Sequence, residues 1–318
     1  MTSSKKKTAV ILFNLGGPDS LKAVQPFLFN LFADKAIIRL PQPFRYLLAQ
    51  FVSKTRAKKA IGIYQKMGGK SPLLENTVAQ AKALEDSLRD QKSDYKAFIS
   101  MRYWHPFTEE TVKEVKNYNP DELILLPLYP HYSTTTTESS FKEWYRVAKE
   151  IKVPVREIES YPLDESFIKA HVETLTPIYK QAAKHGTPRI LFSAHSLPQK
   201  IVDEGDPYQK QTEQTAEAII AKLEGQIDYV VCYQSRVGPL KWLQPTTEAE
   251  IKRAASNRIP VVVVPISFVS EHSETLVELD IDYRDLAESL GVPFYGRVPT
   301  LSCHPLFIEA LKKRILES

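Results

Sequence analysis

The sequence predicts an α/β protein with two doubly wound lobes, each built on a parallel sheet flanked by helices. Three observations support this fold class. Short apolar runs alternate with longer amphipathic stretches along the whole chain. The runs are rich in Val, Ile, Leu and Phe on both faces, which is typical of buried parallel strands. A weak internal echo indicates two similar halves.

The strands are predicted from the apolar runs and the helices from the stretches between them. The predicted strands are residues 8–15, 97–103, 122–128, 153–158, 189–193, 229–233 and 260–266. The predicted helices include residues 44–67, 76–88, 167–184, 211–223, 248–255 and 305–316. Ligands of open α/β sheets bind beyond the carboxyl ends of the strands, so functional residues are expected in the turns that follow these strands.

The internal echo consists of two pairs of similar segments. Residues 11–13 (Ile-Leu-Phe) resemble residues 190–192, which carry the same three residues. Residues 125–127 (Leu-Leu-Pro) resemble residues 263–265 (Val-Val-Pro). Each pair is followed by a polar turn, so the two halves are predicted to share one strand arrangement.

The domain organisation follows from this echo. We predict a first lobe over residues 1–155 and a second lobe over residues 156–301. The C-terminal helix, within residues 302–318, is expected to join the first lobe.

The composition is that of a globular protein and argues against several classes of function. The chain has 318 residues, of which 43% are hydrophobic and 25% charged, and a net charge of +4 is too small to predict nucleic-acid binding. The two cysteines, Cys232 and Cys303, do not have the spacing of a zinc finger. So few cysteines favour a reducing, cytoplasmic location. The longest apolar run, residues 259–269, is too short to cross a membrane, so contact with the inner face of a membrane would be peripheral.

Aromatic, basic and hydroxyl side chains follow the predicted strands of the first lobe. Arg102 and Tyr103 stand at a strand end. Arg102 could bind a ligand carboxylate while the aromatic ring lies against a flat ligand, or both could be structural, in an ion pair and in the core. Ser71 could offer a hydroxyl to a ligand or simply follow a helix end. Tyr129, beyond another buried strand, is not explained by helix capping in the hydroxyl-rich turn after it.

The second lobe carries the strongest candidates. His195 lies in the turn after a predicted strand, and Glu274, Glu278 and Asp282 are spaced i, i+4, i+8, so they share one face of a helix. Such an acidic stripe is either a solvated face or a path for cations and protons. His195 and Glu274 together could bind a divalent first-row metal weakly, a donor pair that suits Fe(II) but also Zn(II) or Co(II).

These residues lie in sequence blocks that resemble the ferrochelatase family. The blocks follow the family's order over nearly the whole chain, and FSAHSLP and SEHSETL together are highly specific. The blocks are NLGGPDS (14–20), GGKSPL (68–73), MRYWHP (101–106), LPLYPHYSTTTTESS (126–140), FSAHSLP (192–198), YQSRVGPLKWL (233–243), PISFVSEHSETLVELDIDY (265–283) and SCHPLFIEAL (302–311).

The resemblance implies two Rossmann-like, chelatase-type lobes with a porphyrin cleft between them. It implies a lyase that inserts Fe(II) into a porphyrin in the last step of haem biosynthesis. His195 would be the catalytic histidine and Glu274 its partner carboxylate, both able to bind the metal, with Glu278 and Asp282 continuing the acidic path. The other blocks would line the cleft or hold the propionates, through Leu15, Ser71, Arg102, Tyr103, Tyr129 and Trp242.

Some features depart from the family pattern. Glu271 stands where the family often has Asp. Some relatives bind a [2Fe–2S] cluster through four cysteines, which two cysteines cannot supply, so no cofactor is expected and iron enters as a substrate. The turns NLGGP and LYPHYSTTTT are similar to those of the branch that acts on protoporphyrin IX. Protoporphyrin IX and ferrous iron are therefore the expected partners of a monomer or weak dimer.

Other functions are also compatible with parts of the sequence. A coproporphyrin chelatase or a cobalt chelatase of the same fold is the nearest alternative, although cobalt chelatases use more histidines near the metal. A non-catalytic porphyrin or haem carrier would not need the acidic stripe. A nucleotide-binding protein is disfavoured because no P-loop or dinucleotide fingerprint is present.

Overall fold

The computed structural model describes residues 5–89, 91 and 93–317. The chain divides into two compact units. Unit 1 comprises residues 1–129, 133–160 and 311–318, and unit 2 comprises residues 130–132 and 161–310. The main division thus falls after residue 160, a few residues later than the sequence predicts, and the short segment 130–132 belongs to the second unit.

Unit 1 contains a parallel sheet of four strands in the order β2-β1-β3-β4. Its strands are β1 (Lys7–Asn14), β2 (Asp94–Met101), β3 (Glu122–Pro127) and β4 (Val155–Glu157). Its helices are α1 (Val24–Ala33), α2 (Phe44–Lys66), α3 (Leu73–Leu88), α4 (Thr108–Tyr118) and α5 (Thr137–Val147). The central strands β1 and β3 are buried along nearly their whole length, which explains their unbroken apolar sequences.

Unit 2 contains a second parallel sheet with the corresponding order, β6-β5-β7-β8. Its strands are β5 (Arg189–His195), β6 (Asp228–Gln234), β7 (Val261–Pro265) and β8 (Tyr295–Arg297). Its helices are α6 (Glu165–Ala182), α7 (Gln199–Asp203), α8 (Tyr208–Ile220), α9 (Thr247–Ser256), a π-helix (Glu274–Asp282) and α10 (Tyr283–Ser289). The last helix, α11 (Pro305–Glu317), runs from unit 2 into the segment that belongs to unit 1.

The shared strand order explains the similar sequence segments in the two halves, because these segments lie on corresponding strands. Phe13 of β1 faces Pro127 at the end of β3, and Ser193 of β5 faces Pro265 at the end of β7. The α/β fold with two parallel sheets is therefore confirmed. Elements absent from the prediction include β8 and α4, and the segment expected to be an ordinary helix at Glu274 is a π-helix, which closes i→i+5 hydrogen bonds.

Each unit has its own hydrophobic core against its sheet. In unit 1 Phe13 meets Phe141 and Trp144 edge-on, with ring centroids 5.5 and 6.0 Å apart. In unit 2 the core includes Leu279 of the π-helix and Tyr295 of β8, so the π-helix is packed directly onto the sheet. Among the residues described, no helix combines the length and the apolar character needed to cross a bilayer.

Candidate functional site

The candidate site lies within unit 2, at the carboxyl ends of neighbouring strands. His195 is the last residue of β5 and faces Gln234, the last residue of β6. After β7 ends at Pro265, the chain turns and enters the π-helix at Glu274. The parallel arrangement therefore brings residues 195, 234 and 274 to one edge of the sheet, as the strand-end rule predicts.

His195 and Glu274 form a direct contact. The His195 Nδ1 donates to Glu274 Oε2 at 2.8 Å, with 40% of the His195 side chain and 21% of the Glu274 side chain exposed. Burial alone would lower the pKa of His195, but the charge and hydrogen bond of Glu274 outweigh it and raise that pKa. Burial would likewise raise the pKa of Glu274, but His195 holds it well below its usual value. The contact therefore resembles an ion pair. Because Nδ1 of His195 faces Glu274, the other ring nitrogen, Nε2, is the atom that can gain or lose a proton.

A second carboxylate, Glu278, stands next to this pair. It accepts from the Ser235 backbone N–H at 3.0 Å, the Tyr283 hydroxyl at 3.0 Å and the Gln234 side-chain amide at 3.3 Å. Burial raises the pKa of Glu278, and the neighbouring charge of Glu274 raises it further. Glu278 is thus the acid of this site that most readily holds a proton.

Ser235 connects the two carboxylates. Its hydroxyl lies 2.8 Å from Glu274 Oε2 and also contacts Glu278 Oε2. A hydroxyl has one proton to donate, so both contacts are hydrogen bonds only if one carboxyl group carries a proton and donates it to the Ser235 oxygen. Ser235 adopts a left-handed backbone conformation with φ of 62°, which is costly for a residue other than glycine and is often found at functional sites.

Gln234 is fixed in a single orientation beneath Ser235. Its side-chain oxygen accepts from the Ser193 hydroxyl at 2.6 Å, and its amide donates to the Glu274 carbonyl at 3.2 Å as well as to Glu278. Two residues earlier on β6, Cys232 is buried and accepts from the Thr247 hydroxyl at 3.3 Å. Burial raises the pKa of the Cys232 thiol to about 12.

The other members of the predicted acidic region have different surroundings. His272 donates from Nδ1 to the Ser270 carbonyl at 3.1 Å, and its Nε2 lies 4.0 Å from Glu274. Asp282 ends the π-helix in an exposed position, whereas Glu274 and Glu278 are half-buried. In the part of the chain that the structure describes, no three His, Cys, Asp or Glu side chains form a ready-made metal site.

Arg102 lies in unit 1. Its side chain forms an ion pair within the protein, which is one of the two alternatives that the sequence left open. It contacts Asp34 at 2.8 Å and donates from Nε to the Ser139 hydroxyl at 2.8 Å. Asp34 also accepts from the Tyr103 hydroxyl at 2.8 Å, and its side chain is only 8% exposed. Burial opposes ionisation of Asp34, but Arg102 and the hydroxyl donors together lower its pKa. Tyr103 is itself fully buried.

The remaining predicted residues of unit 1 line its strand-end turns. Leu15, one residue after β1, is half-buried, and its carbonyl accepts from the Tyr103 backbone N–H at 2.9 Å. Ser71 is buried, and a Cβ placed on Gly17 would lie 2.4 Å from its hydroxyl. The glycine at position 17 is therefore required by this close approach, whatever its role toward a ligand. Tyr129 is half-buried and packs against the core of unit 1.

Trp242 and His131 belong to unit 2. Trp242 pairs with Pro198 in an isolated bridge, and its indole nitrogen is buried without a partner among the residues described. His131 is buried, and its Nε2 is hydrogen-bonded to the Thr215 hydroxyl at 2.9 Å, so its position has a structural reason.

Four residues of this region were missed from the sequence: Gln234, Ser235, Tyr283 and Arg297. Gln234 and Ser235 are the two residues that follow the predicted strand 229–233, so the rule that pointed to His195 could have found them. Tyr283 and Arg297 gave no such signal, because their roles depend on partners brought near by the fold.

Comparison with solved structures identifies the fold. The fold matches the sirohydrochlorin chelatase SirB from Bacillus subtilis subspecies spizizenii with a TM-score of 0.56 and 12% identity, over 98% of this chain and 94% of that one. It also matches CbiX, the terminal enzyme of sirohaem biosynthesis in denitrifying bacteria, with a TM-score of 0.52 and 11% identity, over 98% and 99% of the two chains. The fold is therefore that of the chelatases.

Sequence comparison gives the family. The ferrochelatase family model matches residues 7–318. The ferrochelatase of Wolbachia sp. subsp. Drosophila simulans (strain wRi) is 55% identical over 96% of this chain and 97% of its own length. That of Rickettsia bellii (strain OSU 85-389) is 52% identical over 100% of this chain and 88% of its own length. The chain belongs to the ferrochelatase family, whose members are lyases that insert a metal into a porphyrin.

Proposed function

We propose that this chain inserts Fe(II) into protoporphyrin IX, releasing two protons, with His195, Glu274 and Glu278 as the catalytic residues. The observation that supports these roles is the 2.8 Å contact between His195 and Glu274, with Glu278 joined to it through Ser235. A free porphyrin carries two pyrrole N–H protons that must leave as iron enters. The reaction therefore needs a base near the ring, a metal donor of modest affinity and an outlet for protons.

In this proposal His195 accepts a pyrrole proton at Nε2. Its raised pKa makes it a stronger base than an isolated imidazole, but also more often protonated at rest. A ferrous ion beside Glu274 would counter the negative charge that raises this pKa, and so favour the neutral imidazole. Arrival of the metal and formation of the base would then be linked.

Glu278 receives the proton that leaves the central pair. Ser235 supplies the route, because its hydroxyl contacts both carboxylates and can pass one proton while taking another. Glu278 is suited to this role because its own pKa is raised while that of Glu274 is lowered. Glu278 can therefore carry a proton while Glu274 stays ionised. Asp282, exposed at the end of the π-helix, would exchange the proton with solvent.

Six further residues are proposed to contact the porphyrin: Leu15, Ser71, Arg102, Tyr103, Tyr129 and Trp242. The Arg102 guanidinium is already paired with Asp34, so a propionate would compete with Asp34 for it. We therefore expect Arg102 to bind the propionate only by sharing its donors. Preference for protoporphyrin over coproporphyrin rests on the resemblance of the 14–18 and 128–137 turns.

The test is an anaerobic assay that follows porphyrin absorbance after Fe(II) is added to catalytic amounts of the protein. Repeated turnover with protoporphyrin IX, and slower turnover with coproporphyrin, supports the proposal. An absorbance change that stops at one porphyrin per chain would indicate a carrier instead of an enzyme. Faster turnover with coproporphyrin would make coproporphyrin the substrate. Light scattering at the assay concentration checks the proposed monomer or weak dimer.

We also propose that the protein is cytoplasmic and contacts the inner face of the membrane through the α2 surface, defined as the exposed apolar side chains Phe44, Tyr46, Leu47, Leu48 and Phe51. Each of these side chains is between 36 and 65% exposed. Residues 35–66 carry eight Lys or Arg and no Asp or Glu. A basic helix with an apolar face suits the surface of an anionic membrane.

Vesicle sedimentation tests this surface. The protein is expected to bind vesicles containing anionic lipid and to bind neutral vesicles more weakly. Replacing Leu47 and Phe51 with Ser should reduce binding, while Leu163→Ser, at an exposed apolar residue of unit 2, serves as the control. Equal binding by both variants would reject the α2 surface as the contact.

A further inference from the structure

Arg297 contacts both ends of the segment that carries the two site carboxylates. It ends β8, and its side chain is 9% exposed. Its Nε donates to Asp280 Oδ1 at 2.9 Å and its Nη2 contacts the other oxygen of the same carboxylate. Its Nη1 donates to Glu271 Oε1 at 2.6 Å. Glu271 precedes Glu274 by three residues, so the two partners of Arg297 bracket Glu274 and Glu278.

The bracketed segment needs tertiary contacts to keep its shape. A π-helix is rare and is usually confined to a single turn, whereas this one extends over nine residues. Its backbone is held from β8 as well, because the Tyr295 hydroxyl donates to the Leu279 carbonyl at 2.7 Å. Arg297 adds a two-nitrogen contact to Asp280 from the same strand, which fixes both the position and the rotation of the helix.

Arg297 also determines where Glu271 lies. Glu271 Oε1 accepts from the Thr300 backbone N–H at 3.0 Å in addition to Arg297. Burial opposes the charge of Glu271, but Arg297 overcomes this and lowers its pKa. The start of the π-helix is thus attached to the end of β8, and the charge of Glu271 is balanced there rather than beside Glu274.

We propose that Arg297 is a positioning residue for the reaction. By holding Glu271 and Asp280, it sets the π-helix so that Glu274 meets His195 while Glu278 meets Ser235. This inference rests on the proposed function of the His195–Glu274 pair. It assigns no contact between Arg297 and a substrate, so its effect should fall on turnover and not on porphyrin binding.

The first experiment compares Arg297→Lys and Arg297→Met with the unaltered protein in the metal-insertion assay. Misplacing catalytic groups by about 1 Å can cost on the order of 100-fold, so we expect kcat to fall about 100-fold in Arg297→Met and about 10-fold in Arg297→Lys. The KM for porphyrin should change less than about two-fold, because the binding residues are untouched. Arg253→Lys is the matched control, since Arg253 makes a similar two-nitrogen contact with Glu250 on α9.

A double-mutant cycle separates positioning from general stability. In a Glu278→Gln background, Arg297→Lys should lower kcat by clearly less than the about 10-fold expected in the unaltered protein, because part of its effect acts through Glu278. The same fold loss in both backgrounds, or an equal rise in KM, would overturn the inference. If the Arg297 variants do not fold, Asp280→Asn removes one arm of the contact at nearly constant volume and must give the same pattern.

The outcome is distinguishable from failure of the proposed function. If His195→Ala inserts iron normally, the proposed site is wrong, whatever the Arg297 variants do. If His195→Ala is inactive while folded Arg297 variants keep normal kcat, only the positioning role is wrong.

Discussion

Leu15 in unit 1 and His195 in unit 2 occupy the same place in their sheets. Each lies two residues after the one that faces the proline at the end of the neighbouring strand, Pro127 or Pro265. By the same register, Arg102 corresponds to Gln234, and Tyr103 therefore corresponds to Ser235. The two strand orders are alike, so the side chains at these corresponding positions can be compared directly.

Those side chains give opposite electrostatic results. In unit 1 the charge of Arg102 is matched by Asp34, which hydroxyl groups surround, so the network is balanced. In unit 2 one imidazole faces two carboxylates, so a negative charge is in excess or a proton is held. The comparison teaches that one fold can place a charge-balanced network at this sheet edge in one unit and the residues that we propose as catalytic in the other.

The largest expected effect comes from His195→Ala. It should lower kcat by at least about 10³-fold, within the range for loss of a general base, with the fold intact. Leu15→Ala, at the equivalent place in unit 1, should chiefly raise the KM for porphyrin and lower kcat far less. Stopped-flow absorbance under anaerobic conditions measures both. Comparable losses of kcat in the two variants would remove the functional difference between the units.

The next effect tests stability in unit 1. Asp34→Asn leaves the Arg102 charge without its partner and should lower the free energy of unfolding by about 3 kcal/mol. Asp86→Asn removes an exposed, solvent-screened pair with Lys82 and Arg89 and should leave the free energy of unfolding nearly unchanged. Urea unfolding followed by circular dichroism compares the two. An Asp34→Asn change as small as that of the control would contradict a structural role for the network.

The third prediction concerns pH, because the buried histidines also divide unequally between the units. His131 and His171 are both in unit 2, and burial lowers the pKa of each to about 3. Both are neutral when folded but titrate near 6.5 when unfolded, so their contribution to stability is complete above pH 6.5 and is lost as pH falls toward 3. Because of each histidine, the free energy of unfolding should fall by about 2 kcal/mol when the pH is lowered from 6.5 to 5.

His171→Phe isolates this effect. The ring nitrogens of His171 have no hydrogen-bond partner among the residues described, and the ring lies edge-on to Phe167 at 4.7 Å. The variant should lose about 2 kcal/mol less stability than the unaltered protein when the pH is lowered from 6.5 to 5. His105→Phe, at an exposed histidine of unit 1, provides the control. The same pH slope in all three proteins would exclude the buried imidazole as the cause.

The smallest effect is a gain in stability from Glu278→Gln. The raised pKa of Glu278 means that its charge is disfavoured in the folded protein, so it costs stability at pH values above its unfolded pKa. The neutral amide should therefore raise the free energy of unfolding by about 1 kcal/mol at pH 8 and by less at pH 5, while lowering kcat. Glu248→Gln on α9 is the control. Lower stability at pH 8 would show that Glu278 is a structural acid like Asp34.

The sequence was sufficient for most of the fold because its signals are local. Strands such as β1, β3 and β7 are apolar on both faces, and the repeated Leu-Leu-Pro and Val-Val-Pro segments mark corresponding strands. β8 was missed because it has three residues, one of them Gly296, and is too short to show any periodicity. The π-helix was missed because a spacing of four residues fits either helix, and tertiary contacts decide between them.

The candidate site was only partly predictable for a related reason. Position at a strand end pointed to His195, and spacing pointed to Glu274 and Glu278, but neither signal shows which groups share a proton. Arg102 illustrates the limit, since its partner Asp34 lies 68 residues earlier and nothing in the local sequence connects them. Ser235 has no distinctive chemistry until the fold sets it between two carboxylates.

Cys232 shows what such a site must leave out. Thiolates are soft donors that hold iron firmly and oxidise readily, and β6 carries a cysteine only two residues before Gln234. Burial keeps this sulfur in its uncharged form. Under the proposed function, β6 thus supplies the Gln234 amide to the site, while its uncharged cysteine would not compete with Glu274 for the ferrous ion.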